Sequence, residues 1–72
     1  MIGPSIKWHL EANGCSNYKL AAVWGVNRSV ITQLVKPESN PTWSTLQRFS
    51  KTLDVSILDI VDRALKIEAQ NE

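Results

Sequence analysis

The stretch "GVNRSVITQLVKPESNP", residues 25–41, carries a helical pattern with one face unspoken for. Ile31, Leu34 and Val35 recur at helical spacing and predict a buried side, with Val30 counted beside them. Asn27 precedes them as a good N-cap. Lys36-Pro37 ends the helix, because the residue before a proline is pushed out of the helical region. "PESNP", residues 37–41, then reads as a loop. With Ile31 and Leu34 turned inward, Asn27, Arg28, Ser29, Thr32 and Gln33 are left facing outward, and Lys36 stands at their edge.

Helical spacing continues on both sides of this stretch. Upstream, a helix is expected to start at the cap residue Ser16, with Leu20, Ala21 and Trp24 as its apolar stripe and Gly25 as its stop. Only "WGVN" joins it to the helix that follows. A glycine in so short a turn between two short helices is a helix-turn-helix signature. A first helix is expected to follow Pro4 and Ser5, with Ile6 and Leu10 on one face. It ends at Asn13-Gly14, where glycine can take the left-handed C′ conformation. Downstream, Thr42 caps a fourth helix whose face is Trp43, Leu46, Phe49 and Leu53. Asp54-Val55 makes a short turn, and Ser56 with Asp59 forms a capping pattern. A fifth helix then carries Ile57, Leu58, Ile60, Val61, Ala64, Leu65 and Ile67, and the tail "AQNE" is expected to fray. Period-2 runs of β-branched residues are missing, so no strand is predicted. The expectation is a compact all-α fold of five helices: one helix-turn-helix domain over 1–72, with its core at about 5–67 and the helix-turn-helix at about 16–35.

Composition narrows the function. A chain of 72 residues with 43% hydrophobic and 21% charged residues is globular rather than disordered. A domain of this size buries only ~60% of its unfolded surface, so its core must be efficient. Lone Cys15 has no disulfide partner and is expected as a small buried hydrophobe. A reducing compartment, the cytoplasm, fits. No apolar run approaches the ~20 residues of a membrane span, and no basic segment followed by an apolar one marks a signal peptide. No Cys/His cluster suggests a metal, no cofactor is implied, and no catalytic constellation is visible. His9 is expected at the surface or its boundary. Neither an enzyme nor a small-molecule substrate is therefore expected.

Net charge is +1 and the isoelectric point about 7.9, against the value above ~9 usual for a nucleic-acid-binding domain. The distribution is uneven. Lys19, Arg28, Lys36 and Arg48 face only Glu38 across the middle of the chain. After residue 48, Asp54, Asp59, Asp62, Glu68 and Glu72 outnumber Lys51, Arg63 and Lys66. Charge permits nucleic-acid binding without demanding it.

In DNA-binding helix-turn-helix proteins the first turn of the second helix of the motif enters the major groove. Arg pairs bidentately with guanine, and Asn or Gln with adenine. Arg28, Asn27 and Gln33 have that chemistry, and Ser29 and Thr32 are adaptable partners. Asn17, at the start of the preceding helix, lies where amides and a polar side chain can hold a phosphate. Lys19 lies close by in sequence. For both, capping and solubility are the plain alternatives; for the outward residues, an ordinary solvated helix face is.

Taken in register, "GCSNYKLAAVWGVNRSVITQL" and "NPTWSTLQRFSKTLDVSILDIV" resemble the Cro/CI-type (XRE-family) helix-turn-helix domain of phage repressors over about residues 6–61. The residues that carry the likeness are Gly14, Leu20-Ala21, Gly25-Val26, Ile31, Asn40-Pro41, Leu53-Asp54-Val55 and Ser56. Three departures stand out. The family often pairs an Arg late in the first helix with a Glu ending the third; here Leu10 and Val35 occupy those places. Exchanging both charges for apolar groups avoids two desolvation costs, and the two side chains are expected to touch. "KPESNPTW" lacks the usual cluster of basic phosphate anchors. Trp43 stands where the family has an aliphatic residue.

Size and sparse anchors make the chain resemble, more narrowly, small temperate-phage modulators of repression of the MOR antirepressor type. That likeness implies a partner: the N-terminal domain of a cognate phage repressor, met by Asn17, Lys19, Asn27, Arg28, Ser29, Thr32, Gln33 and Lys36. The rival expectation is a Cro-like repressor, whose dimer would present the same residues to operator DNA.

Overall fold

The computed structural model describes residues 1–70. Five helices follow in order: α1 (Gly3–Ala12), α2 (Asn17–Trp24), α3 (Arg28–Leu34), α4 (Trp43–Leu53) and α5 (Ile57–Gln70). No strand occurs among the described residues. α1 lies along α5, and α2 packs on α3. Every helix contributes to one cluster of Ile6, Leu10, Leu20, Ala21, Ile31, Leu46, Phe49 and Ile60. The all-α expectation is met.

The helix ends show why the chain turns where it does. Ser16 accepts a hydrogen bond from the Lys19 amide at 3.0 Å, and Thr42 accepts one from the Thr45 amide at 3.3 Å. Both occupy orphan donors of a first turn. Gly14 and Gly25 take φ of +62° and +66°. At Gly25 the Val26 amide reaches back to the Ala21 carbonyl and the Gly25 amide to that of Ala22. This is the paired Schellman closure that glycine makes inexpensive. Asp54 repeats that left-handed bend with a side chain attached, at φ 54°.

Several expectations need correction. α1 begins at Gly3, so Pro4 lies inside its first turn rather than before it; the missing amide costs nothing there. Asn27 occupies the N-cap of α3, but its side chain makes no cap bond. His9 is not at the boundary. It is buried with Ser5, Ile6 and Leu10 on the inward face of α1, its ring edge-on to Trp8. Its Nε2 has no hydrogen-bond partner among the described residues. Val30 is 48% exposed and Trp43 62% exposed. α3 is only seven residues long, and Ile31 with Leu34 already spans its inward arc; Trp43 is the first residue of α4 and projects beyond the core. Leu58, Val61 and Leu65 also point outward, because Ile60 and Ala64 take the buried line of α5. The tail is helical through Gln70; the remaining expectation of fraying, at residues 71 and 72, lies outside the described residues. Cys15 is half-buried against the core.

Leu10 is 2% exposed, and Val35 packs against the cluster that contains it. Leu10→Ala is expected to cost about 2–5 kcal/mol. At ~4–8 °C per kcal/mol for a domain this small, thermal melting should fall by at least ~8 °C. Asp54→Gly should act in the opposite sense. It removes the left-handed Cβ penalty and a negative charge at a helix C-terminus, so the melting temperature is expected to rise by a few degrees; calorimetry on the three proteins checks both signs.

Candidate functional site

α3 is set by what surrounds it. Its inward residues Ile31 and Leu34 anchor it to the core. The left-handed Gly25 reverses the chain within Gly25-Val26-Asn27, so α3 leaves α2 at once and presents its first turn outward. Asn27, Arg28, Ser29, Thr32, Gln33 and Lys36 then line one shallow groove of about 440 Å³. Six of the eight residues expected to form a binding face are thus brought together. Asn17 and Lys19 do not line the groove: Asn17 is half-buried at the first position of α2, and Lys19 is exposed two residues along.

The groove is built of donors. Arg28 and Lys36 supply positive charge, and no acidic side chain lines it. Arg28 makes no ion pair among the described residues. The Asn27 amide group, released from capping, is free to donate and accept. Thr32 donates its hydroxyl proton to the Arg28 carbonyl at 3.1 Å, so it meets a partner as an acceptor. An anionic or carbonyl-rich surface fits such a site. Among the described residues no group of His, Cys, Asp or Glu side chains is placed to hold a metal.

A model of the Cro/C1-type helix-turn-helix DNA-binding domain matches residues 6–64. The chain belongs to that family. No curated protein and no solved structure shows significant similarity to it. As a Cro/C1-type domain it is a transcription-regulator module, and the groove on α3 corresponds to the face such motifs direct at the major groove. No helix among the described residues is long and apolar enough to cross a membrane.

Two features of this Cro/C1-type domain were missed in the sequence. The first is Arg48. Its guanidinium stacks over the Trp24 ring at 4.5 Å and donates to the Trp24 carbonyl at 2.9 Å. Trp24 Nε1 donates in turn to the Thr52 hydroxyl, which donates to the Arg48 carbonyl. This knot caps the C-terminus of α2, where a cation is favoured, and ties α2 to α4. Arg48 therefore fastens two helices together while its side chain remains exposed. The second is the apolar surface of the motif itself: Tyr18 and Val23 on α2 and Val30 on α3 are exposed. Val30 lies three residues before Gln33, about 60° from it around α3, beside the groove without lining it. Nothing local in the sequence distinguishes a cation that caps from one that binds. Val30 was counted on the buried side of its helix, and only the packing of Ile31 and Leu34 against the core leaves it exposed.

Arg48→Gln is expected to lower stability by about 1–2 kcal/mol through the lost charged hydrogen bond and stacking. It should leave the salt dependence of any nucleic-acid binding unchanged. Arg28→Gln should do the reverse, reducing the slope of log affinity against log salt by ~1. Thermal melts and salt titrations on a DNA duplex separate the two roles.

Proposed function

We propose that this Cro/C1-type domain is a temperate-phage antirepressor of the lysis/lysogeny switch. In this reading it docks its α3 groove on the DNA-binding domain of a cognate CI-type repressor and keeps that domain from its operators. The observation that carries the reading is the makeup of the recognition side. Its free cations are few once Arg48 is engaged with Trp24, and apolar Tyr18, Val23 and Val30 stand exposed on the same two helices. Phosphate-dominated binding favours many free cations, whereas a protein interface favours aromatic and apolar contact around a few charged anchors. Acidic and carbonyl groups on the repressor domain would pair with Arg28 and Lys36. Asn27, Ser29, Thr32 and Gln33 supply adaptable hydrogen bonds. Asn17 and Lys19, outside the groove, belong to the rim. Both molecules would meet in the host bacterium's cytoplasm.

The second reading is a Cro-like repressor. The donor set of Arg28, Asn27 and Gln33 in one groove favours it, because these are the side chains that read guanine and adenine edges.

The test measures binding of the purified chain, separately, to the repressor N-terminal domain and to the operator duplex. The expected outcome is saturable 1:1 binding to the repressor domain and weak, sequence-indifferent binding to the duplex. Tight, salt-sensitive binding to the operator with none to the repressor domain would replace the first reading by the second. Arg28→Glu is expected to cost at least about 2 kcal/mol, ~30-fold in affinity, as an interface hot spot does. Val30→Ser should weaken repressor binding by several-fold while leaving DNA binding unaltered; isothermal titration resolves both.

A further inference from the structure

The first turn of α1 and the loop after α3 meet too closely to admit a side chain. A Cβ on Gly3 would lie 2.0 Å from the Lys36 carbonyl oxygen and 3.0 Å from Ser39 Cβ. The nearest obstacle is backbone, so no rotamer change relieves it. Gly3 has no left-handed φ; smallness, rather than conformational freedom, is what the position requires. The loop is also hydrogen-bonded to the same turn. The amides of Ile2 and Gly3 both donate to the Ser39 carbonyl, at 3.2 and 2.9 Å, and the Ser39 amide closes the turn onto the Lys36 carbonyl at 3.0 Å. Ile2 N also donates to Asn40 Oδ1 at 3.1 Å.

Of the two sides of this contact, the loop is the one that gives way. The start of α1 is fixed to α5 by the buried Ser5 hydroxyl, which donates to the Ile60 carbonyl at 2.6 Å, and by fully buried Ile6. Pro37, Glu38 and Asn40 are exposed. Lys36 begins that loop and lines the α3 groove.

We propose that Gly3 is a positioning residue for the recognition groove: by carrying no side chain, it lets α1 hold the loop so that Lys36 stands at the groove's end. This rests on the reading that the groove is the partner-binding face. It makes a helix outside the helix-turn-helix a determinant of that face, and any Cβ at position 3 displaces Lys36 without touching the partner.

Gly3→Ala, Lys36→Ala and the double variant decide it, read by amide chemical shifts in the free protein and by titration with the repressor N-terminal domain. Gly3→Ala is expected to keep its helical circular dichroism and to move the amides of residues 36–40 most, with effects reaching Gln33. Its affinity should fall about tenfold, as should that of Lys36→Ala, and the double variant should lose no more than either alone, because the two act through one contact. Additive losses, or shifts confined to α1, would overturn the proposal. Should Gly3→Ala fail to fold, Asn40→Ala removes one hydrogen bond without adding bulk. It is expected to shift the same loop amides and cost about threefold in affinity, again with no effect once Lys36 is Ala; an unmoved Lys36 amide or an additive loss would overturn the proposal. If the native chain binds no repressor domain, the antirepressor reading falls by itself. The shift map then still judges Gly3, with the affinity series run on operator duplex.

Discussion

The left-handed corner at Gly25 is the constraint on which the rest depends. It closes α2 through two backward hydrogen bonds and lets α3 begin three residues later. With so short a connection, the direction of α3 is set by the corner and by the burial of Ile31. The Arg48–Trp24–Thr52 knot then holds the end of α2 against α4. The corner and the knot act on the same few atoms: glycine turns the chain just past Trp24, and arginine satisfies the carbonyl that the turn leaves open.

A small core makes such fastenings valuable. Eight buried apolar residues supply most of the cluster, and several large apolar side chains remain outside it. The structure compensates with local closures: the Ser16 and Thr42 caps, left-handed turns at Gly14 and Gly25, and a buried Ser5–Ile60 bond between α1 and α5. Replacing the family's charged pair by Leu10 and Val35 belongs to the same economy, since it adds apolar packing where two ions would have to be desolvated. Asp54 and His9 run against it. One holds a strained left-handed bend, and the other is a buried ring with an unpaired nitrogen.

The recognition side is defined as much by what is withdrawn as by what is presented. Arg48 turns back on the scaffold, while Asn27 is released from the cap it nominally occupies. The groove thereby gains an amide and loses a cation. Tyr18, Val23 and Val30 are exposed on α2 and α3, apolar groups of little use against a phosphate backbone.

By itself the sequence determined the number and order of the helices, the caps at Ser16 and Thr42, the corners at Gly14 and Gly25, and the polar residues that α3 turns outward. These follow from local rules: period, capping chemistry, glycine at left-handed positions and proline at a helix end. The resemblance to Cro/CI-type domains was legible for the same reason, since its motif residues are turn and core residues in fixed register. Tertiary structure alone decided which apolar residues the core could accept, leaving Val30, Trp43, Leu58 and Leu65 outside and drawing His9 in. It also decided that Arg48 caps while Arg28 stays free, that Asn17 and Lys19 fall outside the groove, and that Gly3 is needed for its size. Each of these depends on the neighbour that arrives from elsewhere in the chain, and spacing along one helix carries no information about that neighbour.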